Sequence, residues 1–282
     1  MKRQQEGYIA LKRYVLLIAF CFVPTSLFSN KLSFPQMPFG GGYTTTILLM
    51  NTGLTSVSSN LQIYAQTGVL LRSIPTTVSS GGSTRLTIAD PGQSIISSWG
   101  TLDAGTGTVQ GMATFDLRSA NGALITTAGV PGLKATNGFR LPVDVTGSGI
   151  AVNTAISMVN VNPINRMTVA LVLISESGST SSSATRSDTR FITLDSRHQI
   201  PALVTSVWPE LAVGFRGTLS IAVVNSAQQP NSLVLTALSV KDGLLSALPV
   251  IPDTSLTTLD TDEREPDSGG TDNNCRLGCW DY

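Results

Sequence analysis

The chain has 282 residues, of which 13% are charged and 6% aromatic, and it contains a single histidine. A typical soluble domain has about 25% charged residues, so side chains for acid–base or metal chemistry are scarce here. The formal net charge is zero, and no segment has the dense cluster of Lys and Arg that binding to nucleic acid requires. The composition therefore predicts neither an enzyme nor a cofactor, and it argues against a nucleic-acid partner.

Residues 1–29 have the features of a secretion signal. Four basic residues precede the apolar run Tyr14–Val23, and small and polar residues follow it. A run of about ten residues is too short to span a bilayer, which takes about twenty. We therefore expect cleavage near Ser29, an extracellular, cell-surface or periplasmic location, and no membrane span in the mature chain. Two alternatives stay open, namely an uncleaved anchor and lipid attachment at Cys21.

The segments that follow the leader predict strands. In Thr108–Arg118, apolar or small residues alternate with polar ones, and 57–65 and 85–88 show the same pattern. A period of two places one face of a strand on a core and the other in water. Turn signals such as Asp242-Gly243 separate these segments. The predicted fold class is all-β.

A weak internal repeat organises the body of the chain. The matching segments lie 105 to 109 residues apart and occur in the same order: Ile47–Gly53 with Ile156–Asn162, Thr84–Leu86 with Thr189–Phe191, Trp99 with Trp208, and Gly111–Phe115 with Gly217–Ile221. A unit of about 110 residues matches a two-sheet sandwich with its own core. The sequence thus predicts a signal peptide over 1–29, β-sandwich domains over 30–145 and 146–252, and an acidic tail over 253–282.

Short motifs in both units carry a resemblance. They are Phe34–Gln36, Phe39–Thr45 leading into Asn51–Gly53, Ala155–Pro163, and the closing segment Asp242–Val250. The chain from about residue 34 to residue 250 resembles exported bacterial proteins, common in Acidobacteria, that consist of two tandem immunoglobulin-like β-sandwich domains. The resemblance implies export and this fold, and it brings no activity and no catalytic residues.

Trp99 and Trp208 are the candidate ligand-binding residues. Each lies at a comparable point of its unit and is followed by a turn-forming residue, Gly100 or Pro209. Because tryptophan buries a large area, we expect both side chains to close one end of a sandwich. The functional alternative is stacking on a sugar ring.

His198 lies in the segment Asp195–Gln199, which also contains a serine. Neighbours on a short extended segment alternate in direction and cannot converge on one substrate atom, so we expect a turn or surface role for this histidine. A glycosidase would instead need two carboxylates about 5 to 10 Å apart in a cleft. The candidates for such a pair are Asp103, Asp144, Asp195 and Glu210.

Cys275 and Cys279 are the only cysteines after the leader. In an oxidising compartment the simplest expectation is a local disulfide, with free thiols, an intermolecular link or a metal as open alternatives. The acidic segment Asp260–Asp267 lacks the glycine of a calcium loop, so we expect a solvated tail, and weak calcium binding stays an alternative.

The sequence therefore predicts a secreted or cell-surface, non-enzymatic module with a structural, adhesive or recognition role. Its expected partner is a protein or glycan of the cell envelope. Two other functions stay open. One is a carbohydrate-active hydrolase or its carbohydrate-binding subunit, and the other is a subunit of an extracellular assembly that joins through unpaired edge strands.

Overall fold

The structure is a computed structural model that describes residues 30–90, 92, 94–146, 152–176, 188–211, 214–224 and 231–253. These residues form seventeen strands and one four-residue helix, which confirms the all-β prediction. Within the described ranges, none of the helical structure is long and apolar enough to cross a bilayer. The predicted signal segment lies outside the described residues, as does the predicted tail after Asp253.

The first eight strands form two antiparallel sheets. Their bounds are β1 Lys31–Phe34, β2 Tyr43–Asn51, β3 Val57–Ala65, β4 Leu70–Val78, β5 Ser83–Ala89, β6 Ser98–Asp103, β7 Val109–Arg118 and β8 Leu124–Pro131. Sheet I has the order β1-β6-β3-β4, and sheet II has the order β5-β2-β7-β8.

The remaining elements form two further antiparallel sheets. Their bounds are β9 Gly138–Val145, β10 Val152–Asn160, β11 Met167–Ser175, β12 Asp188–Leu194, β13 Gln199–Leu203, α1 Val204–Val207, β14 Phe215–Val223, β15 Leu233–Lys241, β16 Leu244–Ala247 and β17 Ile251–Pro252. Sheet III has the order β13-β10-β15-β16, and sheet IV has the order β12-β11-β14-β9-β17.

The two halves have the same strand order. If eight is added to each strand number, the order of sheet I becomes that of sheet IV without β17. The order of sheet II becomes that of sheet III in the same way. We call β1 to β8 the first repeat and β9 to β17 the second repeat. The strand β9 falls inside 30–145, the segment predicted for the first domain. Its counterpart is β1, however, and it pairs with β14 and β17.

The structure also corrects part of the internal alignment. The match between β2 and β10 is retained, with an offset of 109 residues between their first positions, but the offset is 118 between β4 and β12. The connection from β11 to β12 is longer than that from β3 to β4, so matches drawn at a constant offset fall on the wrong strands. Trp99 lies within β6, whereas Trp208 precedes β14, the counterpart of β6.

Three apolar clusters hold the sheets together. The first lies between sheets I and II and also includes Ala155 and Leu238 of sheet III. The second lies between sheets III and IV. The third joins the repeats and consists of Tyr64 and Trp99 from the first repeat with Val159, Val161 and Val234 from the second. Sheet III is therefore covered on both of its faces.

Strand burial follows from this layering. The predicted alternation holds in β7, where Val109, Ala113 and Phe115 are buried and Gln110 and Met112 are exposed. In β10, by contrast, every residue after the first is buried, because one face meets the second core and the other meets the first repeat. The polar residues of β10, Asn153, Thr154, Ser157 and Asn160, are therefore buried together with its apolar ones.

Candidate functional site

Trp99 anchors the first repeat to the second. It lies in β6 of sheet I, its side chain is 1% exposed, and it packs in the apolar cluster that joins the repeats. Its ring stacks on the ring of Tyr64, with centroids 4.6 Å apart and planes 18° apart. Its indole N–H donates to the carbonyl oxygen of Arg197 in the second repeat at 3.0 Å. The side chain thus combines a large buried area with a directed polar contact between the repeats.

The turn that receives Trp99 has an unusual backbone. Arg197 has φ of 60°, a left-handed conformation that is uncommon for a side chain of this size. Its guanidinium lies 5.4 Å from the centroid of the Tyr64 ring, within the range of a cation–π contact. One arginine therefore contacts both stacked rings, Tyr64 through its charge and Trp99 through its carbonyl group.

Trp208 lies in the second core and does not contribute to this anchor. It follows α1, is 1% exposed, and packs among the apolar residues between sheets III and IV. Its indole nitrogen has no hydrogen-bond partner within the described residues. A sugar stacks on an exposed ring face, and neither Trp99 nor Trp208 offers one. Both side chains lie in the interior of the protein, where the large area of a tryptophan is usually buried.

A buried polar cluster centred on Gln199 lies between the repeats. Gln199 is the first residue of β13, and its Nε2 donates to Pro35 O at 2.7 Å, Gln36 Oε1 at 2.8 Å and Ser157 Oγ at 3.0 Å. A fourth acceptor, Ser98 O, lies 3.3 Å away. The hydroxyl of Ser157 in turn donates to Pro35 O at 2.8 Å. Because an amide carries two hydrogens, these acceptors share them, and one side chain contacts both the loop after β1 and the start of β6 in the first repeat.

A cavity of about 300 Å³ opens beside this cluster. Its apolar lining comes from both repeats, with Tyr43, Ile95 and Phe115 from the first and Ala155, Leu238 and Leu245 from the second. Its polar lining includes Gln36, Ser97, Ser157 and Thr236. The exposed residue Thr67 also lines the cavity, so its mouth reaches the surface at the turn between β3 and β4.

His198 lies in the turn before β13 and is placed as the sequence predicted. Its Nδ1 lies 3.3 Å from Oδ2 of Asp195, and its side chain is partly exposed. The neighbouring Ser196 contributes its carbonyl oxygen to the packing around Gly68. The described contacts therefore give His198 a role in the turn.

The carboxylates of the hydrolase alternative have separate partners. Asp144 lies 3.7 Å from Arg216 on the adjacent strand, and Glu210 pairs with Arg190. Asp195 pairs with His198, and Asp103 accepts a hydrogen bond from the Gly105 amide. The pKa of Glu210 is lowered, first by a hydrogen bond from its own backbone amide and then by Arg190. The four carboxylates thus have four different partners, an arrangement that gives no support to an acid–base pair.

The described metal-ligating side chains are also dispersed. Within the described residues, no three His, Cys, Asp or Glu side chains come together as metal ligands. Cys275, Cys279 and the acidic segment Asp260–Asp267 lie outside the described residues. The predicted disulfide and the calcium alternative therefore stay predictions.

Three edge strands, β4, β12 and β17, carry features that discourage pairing with another chain. On β12, Arg190 lies opposite the buried Leu171, so its charge is on the core-facing side of an edge strand, where it pairs with Asp188 at 3.2 Å. Proline interrupts the edges of β4 at Pro75 and of β17 at Pro252. Inward charges and prolines are the features by which natural sheets avoid edge-to-edge association. They disfavour an assembly built through these edges.

Comparisons with known proteins assign no family. No protein-family model matches the chain, and no curated protein matches it. Among solved structures it has similarity to an anti-sigma factor domain-containing protein, with 9% sequence identity, covering 79% of this chain and 84% of that chain, at a TM-score of 0.19. A TM-score this low supports no inference about fold or function.

The junction between the repeats was missing from the sequence analysis. Tyr64 was predicted on the solvent face of its strand, but it is 4% exposed because the second repeat covers it. The sequence around Gln199 does not indicate its role, because its hydrogen-bond partners Ser157 and Pro35 lie 42 and 164 residues away along the chain. The signal that was available is in β15, where the apolar residues Leu233–Leu235 and Ala237–Leu238 break the alternation and indicate a strand with two covered faces.

Proposed function

We propose that the chain is an exported, non-enzymatic recognition module in which two immunoglobulin-like sandwiches are locked into one rigid unit. The observation that carries this proposal is the junction, in which Trp99 and Gln199 make directed hydrogen bonds between the repeats. Two halves that are fixed relative to each other present one preformed surface. A preformed surface loses less conformational freedom on binding than a pair of loosely tethered domains does.

The sandwich architecture is supported by topology and size. Each repeat has two antiparallel sheets that face each other across an apolar core, and the strand order is the same in both repeats. About 100 residues and seven to nine strands are usual for an immunoglobulin-like domain. The proposed boundary between the sandwiches lies before β9, at about residue 137.

Export is supported by the leader and by the absence of cysteine from 30–274. In this proposal residues 1–29 are removed, and Cys275 and Cys279 form a disulfide outside the cytoplasm. The partner is a protein or glycan of the cell envelope. It contacts the outer surface of the module, because both tryptophans are buried.

The first experiment tests export. We expect a C-terminally tagged chain to accumulate in the envelope or culture fluid of its host, with a mature amino terminus near residue 30. Accumulation in the cytoplasm with an intact leader would refute the proposal. Mass spectrometry of the mature chain, before and after reduction, tests the disulfide through a gain of two mass units.

The second experiment tests recognition without catalysis. The mature chain is used as bait in crosslinked envelope extracts, with an unrelated sandwich protein of similar charge as the control. We expect selective capture of a protein or glycan, and protease treatment of the extract separates the two kinds of partner. Release of soluble sugars from envelope glycans by the purified chain would contradict a non-enzymatic role.

A further inference from the structure

The cavity between the repeats has the properties of a small-molecule site. We propose that it binds a neutral, mainly apolar molecule about the size of a two-ring aromatic alcohol, with the hydroxyl group directed to the polar wall near Ser97 and Ser157. This inference goes beyond the proposed recognition of an envelope partner, because it concerns a different surface and a different kind of ligand.

The size of the cavity sets the size of the ligand. Its volume is about 300 Å³. An engineered apolar cavity of about 150 Å³ in another protein binds benzene, so this cavity has room for roughly twice that volume. Natural ligand pockets begin at about 300 Å³. A bicyclic ring system with one small substituent is of the expected size.

The charge of the lining sets the charge of the ligand. None of the described residues that line the cavity is Asp, Glu, Lys, Arg or His. An ion that entered would lose its hydration without meeting an opposite charge, which is strongly unfavourable. The aromatic rings of Tyr43 and Phe115 and the side chain of Leu238 supply the apolar contacts. A neutral ligand is therefore favoured over an anion or a cation of the same shape.

The polar wall accounts for the hydroxyl group. The Oγ of Ser97, a lining residue, is buried and has no hydrogen-bond partner within the described residues. The Oε1 of Gln199 is likewise buried without a partner there, and Gln199 bonds to Gln36 and Ser157, which both line the cavity. Unpaired buried polar atoms are costly. A ligand hydroxyl both donates and accepts, so it can pair with the Oγ of Ser97, which lines the cavity.

The first test is calorimetric titration of the full chain with 2-naphthol, with 2-naphthoate as the charged control on the same ring system. We expect saturable binding of one 2-naphthol per chain and at least about tenfold weaker binding of 2-naphthoate. Absence of saturable 2-naphthol binding would refute the site. Equal binding of the two compounds would refute its preference for neutral ligands.

Substitutions then locate the site. Ala155→Phe places a ring in the cavity and should weaken 2-naphthol binding at least about tenfold, whereas Ala123→Phe, in an exposed turn, should leave it unchanged. Ser97→Ala should weaken binding about fivefold through the lost hydrogen bond. Unchanged affinity in Ala155→Phe would show that 2-naphthol binds elsewhere.

A measurement on the unmodified sequence covers the case in which Ala155→Phe fails to fold. In methyl-labelled full chain, 2-naphthol should shift the resonances of Ala155, Leu238 and Leu245, which line the cavity. The resonances of Ala170 and Leu171, buried within the second repeat, should not move. Shifts confined to the second pair would overturn the proposal. The envelope-capture result does not depend on these outcomes, so the two proposals fail separately.

Discussion

Asn51 and Asn160 make equivalent hydrogen bonds at equivalent positions of the two repeats. Each ends the second strand of its repeat and is buried. The Oδ1 of each accepts from the amide two residues later, at 2.9 Å in both cases. The Nδ2 of each donates to a carbonyl oxygen in the following turn, Thr55 O at 2.7 Å and Asn165 O at 2.8 Å. The predicted repeat therefore extends to the side-chain bonds that hold its turns.

We expect Asn160→Ala to lower the free energy of unfolding by about 2 kcal/mol or more, since it leaves buried carbonyl groups without a donor. Asn51→Ala should cost somewhat less, because Asn160 also donates to Leu194 O and Asp195 O, whereas Asn51 has one further acceptor, Val78 O. Urea unfolding measures both values. Asn121→Ala, in an exposed turn, is the control, and losses equal to that control would contradict a structural role for the buried pair.

The two tryptophans should respond differently to the same substitution. Trp99→Phe removes a hydrogen bond to Arg197 O, whereas Trp208→Phe removes an N–H that has no partner in the described part of the chain. Both changes also remove part of a buried ring. We expect Trp99→Phe to be more destabilising by about 1 kcal/mol, measured by chemical denaturation. The reverse order would show that the bond between the repeats contributes little.

Replacing Gln199 by Glu should disrupt the junction in a pH-dependent way. The new carboxylate would face Pro35 O and Ser98 O, which are acceptors, in a site where the side chain is 4% exposed. We expect a loss of about 3 kcal/mol or more at pH 7. Burial should raise the folded-state pKa of the new carboxyl above its unfolded value of about 4.3.

The sign of that dependence follows from linkage. Below the unfolded pKa the carboxyl is protonated in both states, so the penalty is smallest there, and it grows as the pH rises toward the raised folded pKa. The stability difference between Gln199→Glu and the natural chain should therefore be smaller at pH 4 than at pH 7. Gln110→Glu, on the exposed face of β7, is the control and should show little change. A difference independent of pH would argue against a buried carboxylate at position 199.

Alanine substitutions at two glycines distinguish the cost of backbone strain from the cost of a clash between the repeats. Gly68 and Gly81 both have positive φ, at 79° and 61°, which costs an alanine about 1 to 2 kcal/mol. A Cβ on Gly68 would lie 2.9 Å from the Cβ of Arg197, whereas one on Gly81 would have no neighbour within 4 Å. We expect Gly68→Ala to be more destabilising than Gly81→Ala in thermal unfolding. Equal losses would place the whole effect in the backbone.

Glu210 should contribute little to stability. Its pKa is lowered, so its contribution is present above the unfolded pKa and is lost as the pH falls through the lowered folded value. The side chain is 56% exposed, and exposed ion pairs are worth about 1 kcal/mol or less. Glu210→Gln should therefore have a small effect at pH 7 and a smaller one at pH 3, by thermal unfolding at low salt. A large effect would indicate a role beyond the pair with Arg190.

Local patterns were enough to predict the fold class. The alternation in β7 and the turn at Asp242-Gly243, where φ is 50° and 77°, arise from contacts and conformations within a few residues, so the sequence displays them directly. The start of the second repeat was harder to locate. Its first strand, β9, would show the same alternation in either repeat. Only the strands that it pairs with, β14 and β17, assign it to the second one.

The junction depends on contacts that sequence patterns do not encode. Trp99 and Arg197 are 98 residues apart, and Gln199 and Pro35 are 164 apart. The alternative of sugar stacking on the tryptophans assumed that their environment could be inferred from nearby residues. In the structure Trp99 is covered by the second repeat, which also supplies one wall of the cavity, and Trp208 is buried in the core of its own repeat.

The two covered faces of sheet III have a consequence for biosynthesis. The first repeat leaves the ribosome before the strands that complete its apolar cluster and bury Tyr64 and Trp99. A nascent chain arrested after β8 would leave an apolar, aromatic surface exposed, and it would bind chaperones or aggregate. The surface is covered only when β10 and β15 have been made, so we expect folding of the first repeat to be completed by the second.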